Sequence, residues 1–184
     1  MDSDEERAYA AYVEAAWPAL VRAAVFLGAA PHEAEDLAQA TLVRCYTAWE
    51  RVSTADNTDA YVYRMLLNNL RDNRRSRWFR GRTEPAGAQH GLDGVEALAG
   101  PESAISADAS DALATADAVH RALDTLTKAA REVVVLRYFV QLTEAQTAAA
   151  LGVPAGTVKS RLSRALAALA ANDHLIDVSG GTSR

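Results

Sequence analysis

Residues 151–169, LGVPAGTVKSRLSRALAAL, decide the fold, because they carry the end of one helix, a turn and the next helix. Thr143 is followed three residues later by Gln146, a capping-box sequence that predicts a short helix from Thr143 to Leu151. Gly152 can take the left-handed conformation that ends a helix. A helix, a tight glycine turn and a second helix together predict a helix-turn-helix.

The second helix of this pattern has two different faces. Its apolar stripe, which we expect to be buried, consists of Val158, Leu162, Leu166 and Leu169. Its outer face carries hydroxyl and cationic side chains and no acid: Thr157, Lys159, Ser160, Arg161 and Arg164. Such donors can reach guanine edges and phosphates in a DNA major groove, so the pattern favours DNA recognition. A solvated basic face on a core helix is the structural alternative.

A second cationic face is predicted upstream, on a helix that begins near Asp59. Four polar side chains repeat at helical spacing opposite a leucine stripe, namely Arg64, Asn68, Arg71 and Arg75, and the aromatic residues nearby are Tyr61, Trp78 and Phe79. Arginine combined with aromatic rings is typical of surfaces that follow a nucleic-acid backbone and stack unpaired bases. A solvated face with aromatic core residues explains the same pattern, and periodicity does not decide between them.

Charge is distributed unevenly along the 184 residues, whose net charge is −5. Residues 1–63 contain 11 acids and 4 bases, and residues 84–124 contain 8 acids and 1 base. Between them, residues 64–82 contain 1 acid and 7 arginines. An acidic total therefore hides local cationic segments, so it does not exclude a nucleic-acid partner.

Several other classes of protein are disfavoured by composition. The N-terminus, MDSDEERAYA, is acidic where a secretory signal would be basic and then apolar, so we expect a cytoplasmic protein. Cys45 is the only cysteine, which excludes an internal disulfide, and the four histidines lack metal-ligand spacing. We find no glycine-rich phosphate loop and no nucleophile with a partnered histidine. We therefore expect no metal, no cofactor and no enzymatic activity.

Apolar spacing predicts an all-α fold of two small helical domains joined by a flexible acidic linker. The first domain, 1–80, contains three long helices, and the second, 111–172, contains the helix-turn-helix. Five of the ten glycines and two of the five prolines fall between Gly81 and Pro101 with no apolar period, so we assign 81–110 to the linker. Residues 173–184 form a tail.

Three of these segments resemble the extracytoplasmic-function group of bacterial sigma factors, the promoter-recognition subunits of RNA polymerase. HEAEDLAQATLVRCYTAWERV, residues 32–52, is similar to the polymerase-binding helix of the family. AYVYRMLLNNLRDNRRS, residues 60–76, is similar to the helix that meets the −10 element, and residues 151–169 are similar to the helix-turn-helix that reads the −35 element. The three blocks in this order are specific to the family.

The resemblance implies binding partners and candidate site residues. The partners are core RNA polymerase, through its β′ clamp helices and β flap, promoter DNA, and an anti-sigma factor, without a membrane; in the holoenzyme the protein is nucleoid-associated. The clamp-binding set is Glu35, Asp36, Leu37 and Gln39. The −10 set combines the family loop Thr54–Asp59, which captures an extruded base, with the cationic helix: Asn57, Tyr61, Arg64, Asn68, Arg71 and Arg75. The −35 set is Thr157, Lys159, Ser160, Arg161 and Arg164.

The chain departs from the family pattern at two places. Tyr61 stands where the family commonly has a tryptophan, and residues 146–148, Gln-Thr-Ala, replace the usual Glu-Ile-Ala in the first helix of the turn motif. The second departure affects packing more than the reading helix. The linker from Glu84 to Asp111 either threads toward the catalytic cleft and RNA exit path of polymerase, as in the family, or acts as a plain tether.

An autonomous helix-turn-helix regulator is the competing hypothesis. Such a regulator shares the C-terminal unit but needs a dimer interface or an effector pocket in the N-terminal unit, since symmetric half-sites usually supply its affinity. Residues 8–80 show no glycine loop and no acidic cluster of a receiver domain. We therefore favour the sigma factor.

Overall fold

The computed structural model describes residues 2–81 and 107–171, and it describes side chains for 2–76 and 115–171. In the N-terminal part the helices are α1 (Ser3–Phe26), α2 (Pro31–Thr47), α3 (Trp49–Ser53) and α4 (Thr58–Gly81). In the C-terminal part they are α5 (Ala107–Asp124), α6 (Lys128–Val134), a π-helical turn (Val135–Phe139), α7 (Glu144–Leu151) and α8 (Ala155–Ala170). Neither described range contains a β-strand, so the predicted all-α class is confirmed.

The chain forms two compact units, one built on α1–α4 and the other on α5, α6 and α8. Most of the predicted linker, residues 82–106, and the predicted tail lie outside the described residues. The linker was predicted to end at residue 110, but α5 already begins at Ala107. The first turn of α5 is difficult to predict from sequence because it is rich in alanine and has no apolar stripe. Alanine favours helix but does not indicate which face is buried.

Local signals fix the ends of α1 and α2. Asp2 caps α1 in a capping box, in which its side chain accepts from the backbone N–H of Glu5 at 2.9 Å. Gly28 follows α1 with φ of 90°, a left-handed conformation that glycine adopts without steric cost. Pro31 then occupies the first position of α2, where its missing N–H costs nothing.

In the first unit, α2 packs against both α1 and α4. Ala34, Leu37, Thr41 and Cys45 recur at helical spacing along α2 and are buried, so they form its inner face. Trp49 is also buried, and it begins α3 because α2 breaks at Ala48. The loop that the family resemblance implies over Thr54–Asp59 begins directly after α3, and its last two residues already belong to α4.

In the second unit, α6 packs against α8 and continues into the π-helical turn. The predicted buried stripe of α8 is confirmed at Val158, which is fully buried, but it is wrong at Leu166, which is 38% exposed. Ala165 is buried in its place. At 100° per residue Ala165 lies closer than Leu166 to the direction of Val158, so geometry outweighs side-chain size.

Candidate nucleic-acid and protein interfaces

The helix-turn-helix is closed by the capping interactions that its sequence predicts. The backbone N–H of Thr143 donates to Gln146 Oε1 at 2.7 Å, and that of Gln146 donates to Thr143 Oγ1 at 3.2 Å. Gly152 has φ of 68°, and the next N–H, of Val153, donates to the carbonyl of Ala148 at 3.1 Å. Residues 152–154 connect the two helices, so α8 starts at Ala155 directly after a turn that is held by hydrogen bonding.

The outer face of α8 presents donors to solvent. Lys159, Ser160 and Arg164 are exposed, whereas Thr157 and Arg161 are half-buried. Arg164 Nε donates to the carbonyl of Ser160 at 3.2 Å, which holds the guanidinium along the helix. None of the three cations pairs with a carboxylate in the described part of the chain, so their charges are available to an anion.

The cationic face of α4 is also exposed, at Arg64, Asn68 and Arg75, while Arg71 and Tyr61 are half-buried. Arg75 Nη2 lies 2.7 Å from Asp72 Oδ1, an exposed pair of the kind that contributes little stability. The side chains of Trp78 and Phe79, predicted to add aromatic surface, lie outside those described. The predicted face therefore exists from residue 61 to residue 75.

One arginine of the cationic segment has a structural contact that sequence reasoning missed. Arg74 Nη2 donates to the carbonyl of Leu27 at 2.7 Å and to that of Gly28 at 3.2 Å. These carbonyls lie at the end of α1, where no intrahelical donor follows. The sequence could have indicated this contact, because Arg74 lies four residues after the buried Leu70 and therefore continues the inward face of α4.

The loop before α4 is fixed by side-chain hydrogen bonds to backbone. Thr54 Oγ1 donates to the carbonyl of Glu50 at 2.6 Å, and Thr58 Oγ1 donates to that of Val52 at 3.3 Å. Asn57 Oδ1 accepts from the backbone N–H of Ala60 at 2.6 Å and caps α4. The candidate residue Asn57 therefore already uses its carbonyl oxygen, and its amide NH₂ is the group that remains for a base.

The candidate clamp-binding residues of α2 divide between its surface and the core. Glu35, Asp36 and Gln39 are exposed, whereas Leu37 is 5% exposed and packs inside the unit. Two further exposed residues, Val43 and Tyr46, continue the face of Gln39 along α2 at helical spacing. Periodicity would have found both, because each interrupts the polar side of an amphipathic helix.

Two tyrosines and the cysteine of the first unit remain protonated at neutral pH. Tyr12 donates from its hydroxyl to Asp59 Oδ1 at 3.3 Å, and burial together with this carboxylate raises its pKa. Burial, and then Asp59, raises the pKa of Tyr63 to about 12, and burial raises the pKa of the Cys45 thiol to about 11. These groups therefore serve packing and hydrogen bonding.

Residues 12–80 match the family model for Sigma-70 region 2, and residues 116–169 match that for Sigma-70, region 4. The RNA polymerase sigma-E factor of Streptomyces coelicolor is 39% identical over 158 residues, which cover 86% of this chain and 81% of that protein. The chain belongs to the sigma-70 family. This sigma factor is also 35% identical, over 74% of its length and 72% of the relative, to the ECF RNA polymerase sigma factor SigL of Mycobacterium tuberculosis.

Solved structures share the fold of this sigma factor. The sigma factor RpoE of Bartonella quintana, in complex with the anti-sigma factor NepR, has a TM-score of 0.68 at 24% identity and covers 94% of this chain and 98% of its own. CnrH, in complex with the cytosolic domain of CnrY, has a TM-score of 0.64 at 26% identity, with 94% and 89% covered. Across the ranges with described structure, no helix of this sigma factor is long and apolar enough to span a bilayer.

Proposed function

We propose that this ECF sigma factor binds core RNA polymerase through the outer face of α2 and directs initiation at promoters that it reads with α8 and α4. The observation that carries the proposal is the position of the two cationic faces: one lies within the region 2 match and the other within the region 4 match. The bond-forming chemistry belongs to polymerase, and this chain acts as a regulatory DNA-binding subunit in the cytoplasm, nucleoid-associated in the holoenzyme.

At the −35 element, we assign base contacts to Arg161 and Arg164. A guanidinium can donate two parallel hydrogen bonds to the O6 and N7 acceptors of guanine. Lys159 and the hydroxyls of Thr157 and Ser160 supply phosphate contacts, which set the register of the helix without reading sequence. The capped turn at Gly152 supports this role, because it fixes the direction in which α8 enters the groove.

At the −10 element, we assign strand opening to α4 and the loop that precedes it. Arg64, Arg71 and Arg75 follow the phosphate backbone, and Asn68 lies among them on the same face. The half-buried ring of Tyr61 offers a stacking surface for an extruded base. The side-chain hydrogen bonds of the loop support a preorganised pocket, in which the amide NH₂ of Asn57 donates to the base while its oxygen caps α4.

On α2, we assign polymerase contacts to Glu35, Asp36 and Gln39, which are exposed on one side of the helix. Leu37 lies in the core, so its part is to hold α2 in place rather than to touch the β′ clamp. The second unit would meet the β flap. Since the solved neighbour from Bartonella quintana is a complex with an anti-sigma factor, we include an anti-sigma factor among the proteins that bind this chain.

The experiment is a binding titration of the full chain with core polymerase. Asp36→Lys should weaken binding, since a mispaired charge in an interface costs roughly 2–5 kcal/mol when it is buried. Glu14→Lys, an equal charge change on the exposed side of α1, is the control and should bind normally. Unchanged binding by both Asp36→Lys and Gln39→Ala would contradict the placement of polymerase on α2.

A further inference from the structure

A cavity of about 360 Å³ lies in the first unit, where the start of α1 meets the break between α2 and α3. It is lined by Glu5 of α1 and by residues 46–51, and we call it the α2–α3 cavity. Its walls therefore come from three helices. Neither the polymerase contacts nor the DNA contacts proposed above use it.

The first turns of α1 reach this cavity because they are pinned to α2 and α3. The hydroxyl of Tyr9 donates to the carbonyl of Leu42 at 2.8 Å. The same ring meets those of Tyr46 and Trp49 edge-on, each with centroids 5.2 Å apart. The region 2 match begins only at residue 12, so Glu5 and Tyr9 lie outside the part of the chain that matches the family model.

Three features make the α2–α3 cavity favourable for a cation. Two carboxylates, Glu5 and Glu50, line it together with one guanidinium, Arg51. The last turn of α2 ends there at Ala48, and the final carbonyls of a helix carry partial negative charge. The ring of Tyr46, 46% exposed, adds an aromatic surface that can attract a cation to its face.

We propose that the α2–α3 cavity binds an arginine or lysine side chain of core RNA polymerase. The inference rests on the proposed function, because it continues the same surface of α2. Gln39, Val43 and Tyr46 are all exposed and follow one another at helical spacing, so a polymerase segment that lies along α2 from Gln39 reaches the rim of the cavity. Val43, 59% exposed, gives this path an apolar centre.

The test neutralises the two carboxylates in the full chain and measures its affinity for core polymerase. Glutamine at position 5 retains the oxygen that accepts from the Asp2 N–H in the capping box, so Glu5→Gln should preserve α1. The double variant Glu5→Gln/Glu50→Gln should bind roughly tenfold more weakly, with a smaller salt dependence than the wild type. The control Glu6→Gln lies on α1 outside the cavity lining and should bind like the wild type.

A second pair of variants separates charge from ring. Tyr46→Phe keeps the aromatic face and should retain affinity, whereas Tyr46→Leu should lose it. Because Tyr46→Leu also removes the edge-on contact to Tyr9, thermal melting of both variants is measured beside binding. Normal binding by the double glutamine variant would overturn the cavity proposal, and if Asp36→Lys still weakened binding, the proposed function would stand. If the double glutamine variant bound weakly while Asp36→Lys bound normally, the cavity proposal would be supported and the assignment of a polymerase contact to Asp36 would be wrong. Normal binding by all of these variants would overturn both.

Discussion

Asn69 of α4 donates from Nδ2 to Thr41 Oγ1 of α2 at 2.9 Å, and Thr41 Oγ1 donates in turn to the carbonyl of Leu37 at 2.7 Å. Both side chains are buried. This polar pair joins the helix that we assign to polymerase to the helix that we assign to the −10 element. A buried, satisfied hydrogen bond between two helices fixes their register more specifically than apolar contacts do.

Thr41→Val should destabilise the first unit by about 1–3 kcal/mol, because it leaves the Asn69 amide buried without its acceptor. The double variant Thr41→Val/Asn69→Leu should recover part of the loss, since both polar partners are then gone. Urea unfolding of the three proteins measures the difference. Equal stability of wild type and Thr41→Val would show that the pair is not a stabilising contact.

Arg74→Ala should destabilise the first unit by about 1–3 kcal/mol, because a charged donor to the carbonyls of Leu27 and Gly28, directly after α1, is lost. Arg75→Ala is the matched control, since the Arg75 pair with Asp72 is exposed and should contribute little. Thermal melting separates the two arginines. If Arg75→Ala lowered stability as much as Arg74→Ala, the capping role of Arg74 would have to be abandoned.

Thr147→Val should stabilise the helix-turn-helix by about 1 kcal/mol, because Thr147 Oγ1 is buried with no hydrogen-bond partner among the described residues and valine has nearly the same shape. Thr143→Val should do the opposite, costing about 0.5–2 kcal/mol through loss of the cap of α7. Hydrogen exchange of the α7 amides reports both changes. Faster exchange in Thr147→Val would mean that the hydroxyl is satisfied in solution.

The two DNA contacts should respond differently to mutation. Arg161→Ala and Arg164→Ala should each weaken −35 recognition by about 1–3 kcal/mol, by an amount that varies with the −35 sequence. Asn68→Ala and Arg71→Ala should instead impair strand opening, which permanganate footprinting of the −10 region detects. If Asn68→Ala and Arg71→Ala opened the −10 region normally, the proposal that α4 binds the single strand would be wrong.

The helix-turn-helix could be predicted from sequence because its signals are local. The cap of α7 and the turn after it depend only on contacts between residues close in sequence, namely Thr143 with Gln146 and the left-handed Gly152. The order of these residues is therefore enough to predict both features. The error at Leu166 has a physical cause: a search for large apolar residues prefers leucine, whereas burial follows angle around the helix and selects the small Ala165.

Contacts between distant residues could not be predicted in this way. Arg74 caps a carbonyl 47 residues earlier in the chain, and Tyr9 meets α2 and α3 more than thirty residues later. No local pattern encodes which helix end an arginine reaches. The α2–α3 cavity depends on the same kind of contact, so it becomes visible only when the helices are packed.

The central claim, that α8 reads DNA as part of polymerase, is tested most directly by titrating one promoter fragment with this chain, with and without core enzyme. The outer face of α8 offers three cations, and each phosphate neutralised changes the salt slope by only about 0.9, so the free chain should bind weakly near ~150 mM salt. Polymerase holds both units on the DNA and makes the second contact effectively intramolecular. We predict sequence-specific binding by fluorescence anisotropy only when core enzyme is present. Sequence-specific binding by the isolated chain, in the nanomolar range typical of autonomous regulators, would contradict the account.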